Sequence, residues 1–323
     1  MKFGVLTFSY AGFKHFEGAL QREGYYTVNI GDYMQTLAMR EKWAELEVGA
    51  DAVLSVDRDT IKAYQGEAVV LPVNACFYEH CFPFPENIIP VFYGFQAREG
   101  VIAKNVDYLK RYEPIGCRDL HTVELMRLHG IEAFVSGCVT LTFSPRDAAV
   151  KEGDGSIFLI YGEGAGVFPG QVMPFVPQRF LDRIRFLSHR KPVHEYPLGI
   201  GQMALTEAYA KEIFRLYREQ AELVITPLHH VATPCWGSNV PAIMVRSNRD
   251  TRFSFLETLW EVYYPESFSR INWSAGGPDL QGFKCEWNRG FLQQLQRVLR
   301  LHGYDLEESM SECSVVSQVC RVL

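Results

Sequence analysis

Short apolar runs alternate with segments of helical periodicity along most of the chain, and that alternation admits few folds. A run that is apolar at every position suits a strand buried on both faces of a parallel sheet. The helical segments between such runs supply the crossovers that parallel strands need. Lys2 to Ser9 reads as the first strand. Asp32 to Leu46 reads as a helix, with Met34, Leu37, Ala38 and Leu46 near one face. Strands follow at Ala52 to Val56, at Glu67 to Val73 with its core Ala68-Val69-Val70-Leu71, at Ile88 to Phe95 and at Pro114 to Cys117. A helix covers about Thr122 to His129, and Gly130 closes it by taking the left-handed turn that ends many helices. Ala133 to Val135 is one more strand.

The pattern then restarts. Ser144 to Ser156 is polar and contains Lys151-Glu-Gly-Asp-Gly155, which reads as a linker. With 323 residues the chain is long enough for two domains of roughly 150 residues each. The expected division is 1–148 and 149–323. The second part offers a strand at Ile157 to Tyr161, a helix at Arg179 to Leu187 and a short strand at Pro192 to Tyr196. A long helix runs from Leu205 to Gln220, with Tyr209, Ile213, Leu216 and Tyr217 on one stripe. Strands at Leu223 to Thr226 and Ala242 to Val245 and a helix at Phe291 to Leu301 complete it. The tail Ser309 to Leu323, with Cys313, Cys320 and several apolar residues, is expected to dock. The fold class is α/β, with two Rossmann-like domains facing a cleft. Ligands of open α/β sheets sit in such clefts, at the carboxyl ends of the strands.

Composition removes several function classes. The formal net charge is −6, so no general basic field is available to grip a nucleic-acid backbone. An anionic ligand would instead be met by a few placed cations. The apolar stretch Phe3 to Phe13 is too short to span a bilayer, which takes about 20 residues, and Lys14, His15 and Glu17 follow it at once, so it reads better as a buried first strand than as a signal peptide. The expectation is a cytoplasmic protein without a transmembrane segment. The eight cysteines are scattered and form no CxxC pair, so no metal site is expected. Cys76 and Cys81, flanking Phe77-Tyr78-Glu79-His80, are the nearest approach to one.

Three segments concentrate side chains able to do chemistry. Asn29-Ile30-Gly31-Asp32-Tyr33-Met34-Gln35 opens a helix. Gly31 permits close backbone approach, Asp32 can cap the helix, and Asn29 and Gln35 present amides suited to a sugar or another polar ligand. In Gly116-Cys117-Arg118-Asp119-Leu120-His121-Thr122 a strand ends in a charged turn. Arg118 can present its planar fork to a carboxylate or phosphate, and Asp119 can cap the next helix or hold Arg118. The third segment, Thr226-Pro227-Leu228-His229-His230, follows a buried strand and precedes a helix. Its imidazoles can move protons near neutral pH, and a helix start favours an anion.

Taken together and in order, these segments resemble the polysaccharide pyruvyl transferase family. The Asn-x-Gly-Asp-x-x-Gln element falls at 29 to 35, and Gly-Cys-Arg-Asp-x-x-Thr at 116 to 122. Ser136-Gly137-Cys138-Val139-Thr140-Leu141-Thr142 also fits, and the family's strand followed by Thr-Ser-Arg-Leu-His aligns without a gap up to His230. The resemblance spans roughly residues 29 to 245. It implies two Rossmann-like domains in the manner of GT-B glycosyltransferases. It also implies transfer of a pyruvyl group from phosphoenolpyruvate to a sugar as a ketal, without a cofactor. The acceptor would be a sugar or lipid-linked precursor of a cell-surface glycan, which allows peripheral contact with a membrane-bound acceptor.

One departure bears on the donor. The family's motif arginine is Leu228 in this chain, the serine before it is Pro227, and His229 replaces the leucine after it. Arg246, Arg249 and Arg252, after the next strand, are the candidates to restore the charge. On this reading His230 is the general acid or base and Arg118, with Arg252, holds phosphate and carboxylate. Asn29, Asp32 and Gln35 orient the acceptor, with Asp119 and His229 beside them. Two alternatives remain open. One is a GT-B-type glycosyltransferase using a nucleotide-sugar donor, whose nearest diphosphate loop is Gly162-Glu-Gly-Ala-Gly166. The other is a non-catalytic relative that binds glycan or protein through the aromatic loop Cys76 to Pro85.

Overall fold

The structure, a computed structural model, describes residues 1–162, 169–274 and 276–304. The C-terminal tail and most of the glycine-containing stretch after Gly162 lie outside the described residues.

Strand β1 (Lys2–Thr7) is buried at every residue after Lys2, as its apolar run requires. Helix α1 (Lys14–Glu23) ends at Gly24, whose φ of 76° makes the left-handed stop. Strand β2 (Tyr26–Asn29) then feeds helix α2 (Ile30–Glu45). Strands β3 (Val53–Asp57), β4 (Val69–Val73), β5 (Cys76–Phe77) and β6 (Ile88–Ala97) follow. Two short helices, α3 (Glu99–Lys104) and α4 (Val106–Lys110), lead to strand β7 (Ile115–Cys117). Helix α5 (Leu120–Leu128) and strand β8 (Ala133–Val135) close this half, with Gly130 at φ 66° as the helix stop. The strands pair in the order β3-β1-β4-β6-β7-β8, with β5 added on β6, and each pairing is parallel.

Residues 144–155 contain no helix or strand, and beyond them a second parallel sheet begins. Its strands are β9 (Ser156–Tyr161), β10 (Ile184–Ser188), β12 (Ala221–Thr226), β13 (Ala242–Val245) and β14 (Val262–Tyr263), in the order β10-β9-β12-β13-β14. Strand β11 (Arg190–Val193) leaves this sheet and pairs antiparallel with β2, joining the two halves. Helices α6 (Ile200–Gln220), α7 (His229–Gly237), α8 (Leu256–Leu259) and α9 (Gln281–Leu301) complete the described residues, a mixed α/β fold with parallel sheets flanked by helices.

Alternation along the second sheet assigns its two faces. Phe158, Ile160, Val224, Ala242 and Met244 join a core continuous with that of the first sheet. Ile157, Leu159, Ile225, Ile243 and Val245 point the other way into a smaller cluster. Helix α2 lies within the shared core. Its Tyr33, Thr36 and Trp43 side chains donate to the β1-side carbonyls of Phe8 (2.7 Å), Leu6 (2.6 Å) and Gly4 (2.9 Å). Arg40 of α2 pairs with Glu207 of α6. Helix α9 returns to the first sheet, where Tyr93 packs on Trp287 (ring centroids 5.0 Å) and Trp43 on Phe291 (5.8 Å). The terminal helix, expected with the second half, therefore covers the first.

Several expectations need correction. Arg179 to Leu187 is not a helix but a 3-10 turn (Gln178–Arg183) followed by β10. Phe180, Ile184 and Leu187 fall at helical spacing, yet five residues of pairing to β9 prevail, and the edge strand leaves Phe186 exposed. The short strand expected at Pro192 to Tyr196 lies earlier, at Arg190–Val193, an edge position where Pro192 is tolerated. Helix α9 begins ten residues before the expected Phe291, and α1 and β2 were not anticipated, although Phe16, Ala19 and Leu20 of α1 fall at helical spacing.

Candidate functional site

Eight strands end around one cavity. Tyr10, Arg58, Cys76 and Arg118 follow β1, β3, β4 and β7 of the first sheet. Gly162, His189, Pro227 and Arg246 follow β9, β10, β12 and β13 of the second. All eight residues line the same space of about 440 Å³. Carboxyl ends of parallel strands are where open α/β sheets place ligands, and this volume lies within the roughly 300–1,000 Å³ range of small-molecule sites.

The first motif shapes one wall. Asn29, and not Asp32, caps α2: its Oδ1 accepts from the Gly31 amide at 3.0 Å. Asp32 sits one turn inside and is the sole carboxylate among the described residues lining the cavity. Its Oδ2 accepts from the Tyr10 hydroxyl at 3.1 Å and its Oδ1 from Asn29 Nδ2 at 3.4 Å. Burial pushes its pKa up, against the pull of Arg58. Tyr10 itself is held at a φ of 59°, with its amide donating to Asp59 Oδ2 at 2.8 Å. A tyrosine in the left-handed region is strained backbone of the kind found at ligand sites. Arg58 is fully engaged, paired with Asp59 at 2.7 Å and stacked on Phe8 and Tyr78.

Arg118 differs. It is only 7% exposed, yet its one side-chain hydrogen bond goes to Gln96 Oε1 at 3.2 Å, and its Nε has no partner. Among the described residues no carboxylate lies within ion-pair distance of it. Asp119 points its Oδ1 at α5, accepting from the Thr122 amide (2.8 Å) and hydroxyl (2.9 Å), while its Oδ2 is buried without a partner and not within ion-pair distance of Arg118. Buried guanidinium without a counter-charge is costly, and an anion in the cavity would supply what the fold omits.

The third motif forms the amino end of α7. Pro234 has no N–H for the His230 carbonyl, and its ring clashes there, so His230 departs from helical geometry (φ −81°, ψ 24°). His230 lies against Gly31 and places its Nε2 at 3.7 Å from Cys138 Sγ. Burial holds both histidines well below the ordinary imidazole range, reinforced for His229 by Arg118, Arg252 and Arg246 and for His230 by His229 and Arg118. Both are therefore neutral at pH 7. Arg246 donates to the Pro227 carbonyl at 2.7 Å and stacks on Phe253, and Arg252 pairs with Asp250 at 2.6 Å.

The cavity thus receives Asn29, Asp32, Arg118, His229, His230 and Arg252 of the expected site residues. Gln35 does not line it. That residue is buried a turn further along α2, with Oε1 unpaired. Asp119 is likewise absent from the lining; it is buried at the start of α5, which its Oδ1 caps. Of the three later arginines, Arg246 and Arg252 reach the cavity, while Arg249 pairs with Glu266 at the surface. Phe77, Phe82 and Phe84 of the aromatic loop fold into the core, and only Cys76 and Tyr78 meet the cavity. Arg58, Arg190 and the aromatic group around Phe13 were not singled out from the sequence. Arg58 follows a strand as Arg118 does, and that position was the available signal.

Ligand atoms of Cys138, His229 and His230 lie within 4.8 Å of one another, as do those of Asp59, His80 and Cys81. The first set adjoins uncompensated Arg118, which favours an anion over a dication there. In the second, Asp59 is already committed to Arg58 and the Tyr10 amide. No helix of the described residues is long and apolar enough to cross a membrane. Searches against known protein families and curated proteins return no match to the chain.

Proposed function

We propose that the protein transfers a pyruvyl group from phosphoenolpyruvate to a sugar of a cell-surface glycan precursor, forming a ketal. On this reading it is a polysaccharide pyruvyl transferase, with the two parallel sheets as the Rossmann-like halves of a GT-B-like pair. The observation that carries it is Arg118: a buried guanidinium without a carboxylate, facing the same cavity as Arg246, Arg252 and two neutral histidines. Phosphoenolpyruvate brings a phosphate and a carboxylate, the two groups a set of planar guanidinium forks recognises best. Arg246 and Arg252 share Asp250 as counter-charge, so together they bring one net positive charge to the cavity, where Leu228 brings none.

The chemistry fits neutral imidazole. One acceptor hydroxyl adds to C2 of the donor, and its proton passes through His230 to the methylene carbon, which becomes the methyl group. The second hydroxyl then adds to C2 as the C2–O bond to phosphate breaks, and its proton leaves with inorganic phosphate. His230 serves both half-steps, first as base and then as acid. Arg118 and its neighbours stabilise charge on the departing phosphate.

The test is inorganic phosphate release from phosphoenolpyruvate with a panel of sugars and lipid-linked sugars. Acceptor-dependent release, matched by ketal formation, is expected, and His230→Ala should abolish it. No release with any acceptor, together with thermal stabilisation by a nucleotide sugar alone, would replace pyruvyl transfer by glycosyl transfer.

A further inference from the structure

Behind His230 runs a chain of polar side chains that the transfer chemistry leaves unused. Its Nε2 lies 3.7 Å from Cys138 Sγ, within the longer reach of sulfur. Cys138 Sγ lies 3.0 Å from Thr140 Oγ1, which lies 2.7 Å from Thr233 Oγ1. Thr233 in turn donates to the His229 carbonyl at 2.9 Å. The chain ties the 3-10 turn Val139–Thr142 to α7, and Cys138, Thr140 and Thr233 are all buried.

The proton count gives this chain one direction. A carbonyl can only accept, so Thr233 spends its single hydroxyl proton on His229. Thr140 must then donate to Thr233, and its oxygen is left to accept from the Cys138 thiol. Burial pushes the pKa of that thiol up, so it keeps its proton at neutral pH. With the proton turned to Thr140, the sulfur can offer His230 only a lone pair. The reverse direction would require Thr233 to withhold its proton from a carbonyl 2.9 Å away.

We infer that Cys138, Thr140 and Thr233 are positioning residues that hold His230 as its Nε2–H tautomer and leave the lone pair on Nδ1. The bond made by one ring nitrogen decides the protonation of the other. Nδ1 has no hydrogen-bond partner among the described residues, yet it is not a buried unpaired atom as His229 Nε2 is, so it opens on the cavity that His230 lines. Gly31 keeps it open, since a Cβ there would stand 3.3 Å away. Nδ1 then both takes the acceptor's proton and returns it to the methylene carbon. Nε2 faces Cys138, so no proton crosses the ring, and His230 ends the cycle in the tautomer in which it began. This role in transfer rests on the reading above; the tautomer does not.

The experiment reads the tautomer from nitrogen-15 resonances of ring-labelled histidine in the whole unliganded chain at neutral pH, where protonated and bare ring nitrogens resonate far apart. Loss of signals in His230→Gln identifies the residue. Wild type should show Nε2 protonated and Nδ1 bare. Thr140→Val removes the thiol's acceptor, frees that proton for Nε2 and should shift His230 toward the Nδ1–H form. Cys138→Ala should leave a mixture, and Cys138→Ser, which keeps one donor and an acceptor, should retain the wild-type form. Circular dichroism checks the folding of each variant. In Thr140→Val, kcat for acceptor-dependent phosphate release should fall roughly tenfold or more while KM for phosphoenolpyruvate holds, because the arginines are untouched. Wild type with Nδ1 protonated would overturn the inference even if no variant folds, and so would a tautomer unmoved by both Thr140→Val and Cys138→Ala. An Nε2–H His230 in a protein that releases no phosphate from phosphoenolpyruvate would uphold the tautomer and sink the pyruvyl donor instead.

Discussion

His230 is packed against Gly31 so closely that a Cβ on Gly31 would stand 2.8 Å from His230 Cβ and 3.3 Å from its Nδ1. The first motif thereby fixes the position of the third across 199 residues of chain, and the missing side chain at Gly31 is what permits the contact. Gly31→Ala should displace the imidazole. We expect kcat/KM for transfer to fall at least tenfold, with a stability loss of about 1–3 kcal/mol from overpacking. Phosphate release and urea denaturation measured on the same preparation check both halves. Unchanged kcat/KM would remove His230 from the mechanism.

Pro234 acts on the same residue from within α7. Replacing it by alanine restores an N–H to the His230 carbonyl and removes the clash that unwinds the first turn. The helix is expected to straighten and carry His230 away from Cys138, from which it is now 3.7 Å. Transfer should drop several-fold in Pro234→Ala while thermal stability holds or rises. Parallel loss of both would mean that the proline serves packing alone.

Arg118 yields a prediction of opposite sign for stability and for binding. Its guanidinium is buried without a carboxylate, so Arg118→Met should raise the unfolding free energy of the unliganded protein by about 1 kcal/mol. The same variant should lose stabilisation by phosphoenolpyruvate, and Arg118→Lys should recover only part of it, since an ammonium lacks the planar fork. A variant that is destabilised yet still stabilised by the donor would show that Arg118 is structural.

His189 makes stability depend on acid. Burial lowers its pKa to about 3, with Arg190 adding to the effect. Below the ordinary value near 6.5 the unfolded chain takes up a proton that the folded chain refuses, so this contribution is complete above that pH and is lost as pH falls from about 6.5 toward 3. The slope from this residue is about 1.4 kcal/mol per pH unit. Unfolding free energies from urea titrations between pH 7 and 4.5 should lose about that much of their pH slope in His189→Leu; an unchanged slope would mean that His189 titrates normally.

Much of this was legible in the chain before any coordinates. Continuous apolar runs at 69–73 and 242–245 identify strands buried on both faces, because a parallel sheet has no polar side. The three motifs could be singled out because each joins a strand end to a helix start, where a fold has both exposed backbone and room for a ligand. The strand β10 could not be read, since its apolar spacing also fits a helix and only pairing with β9 distinguishes the two. The caps were similarly undecided: Asn29 and Asp32 both suit the start of α2, and backbone geometry selects Asn29.

What the sequence determined alone is the alternation of strand and helix, the residues at the strand ends and the absence of a carboxylate from most of those positions. Convergence was the work of tertiary structure. Gly31, Arg118, Cys138 and His230 belong to four separate segments, and their meeting depends on two sheets directing the ends of eight strands to one cavity. Only packing left Arg118 without a counter-charge, turned one oxygen of Asp119 to the cap of α5 and enclosed two half-buried histidines where the neutral imidazole is favoured. Charge, proton affinity and reach are properties of an environment. A residue's chemistry is written in its name, but the solvent and neighbours that set its strength are chosen by contacts between segments far apart in the chain.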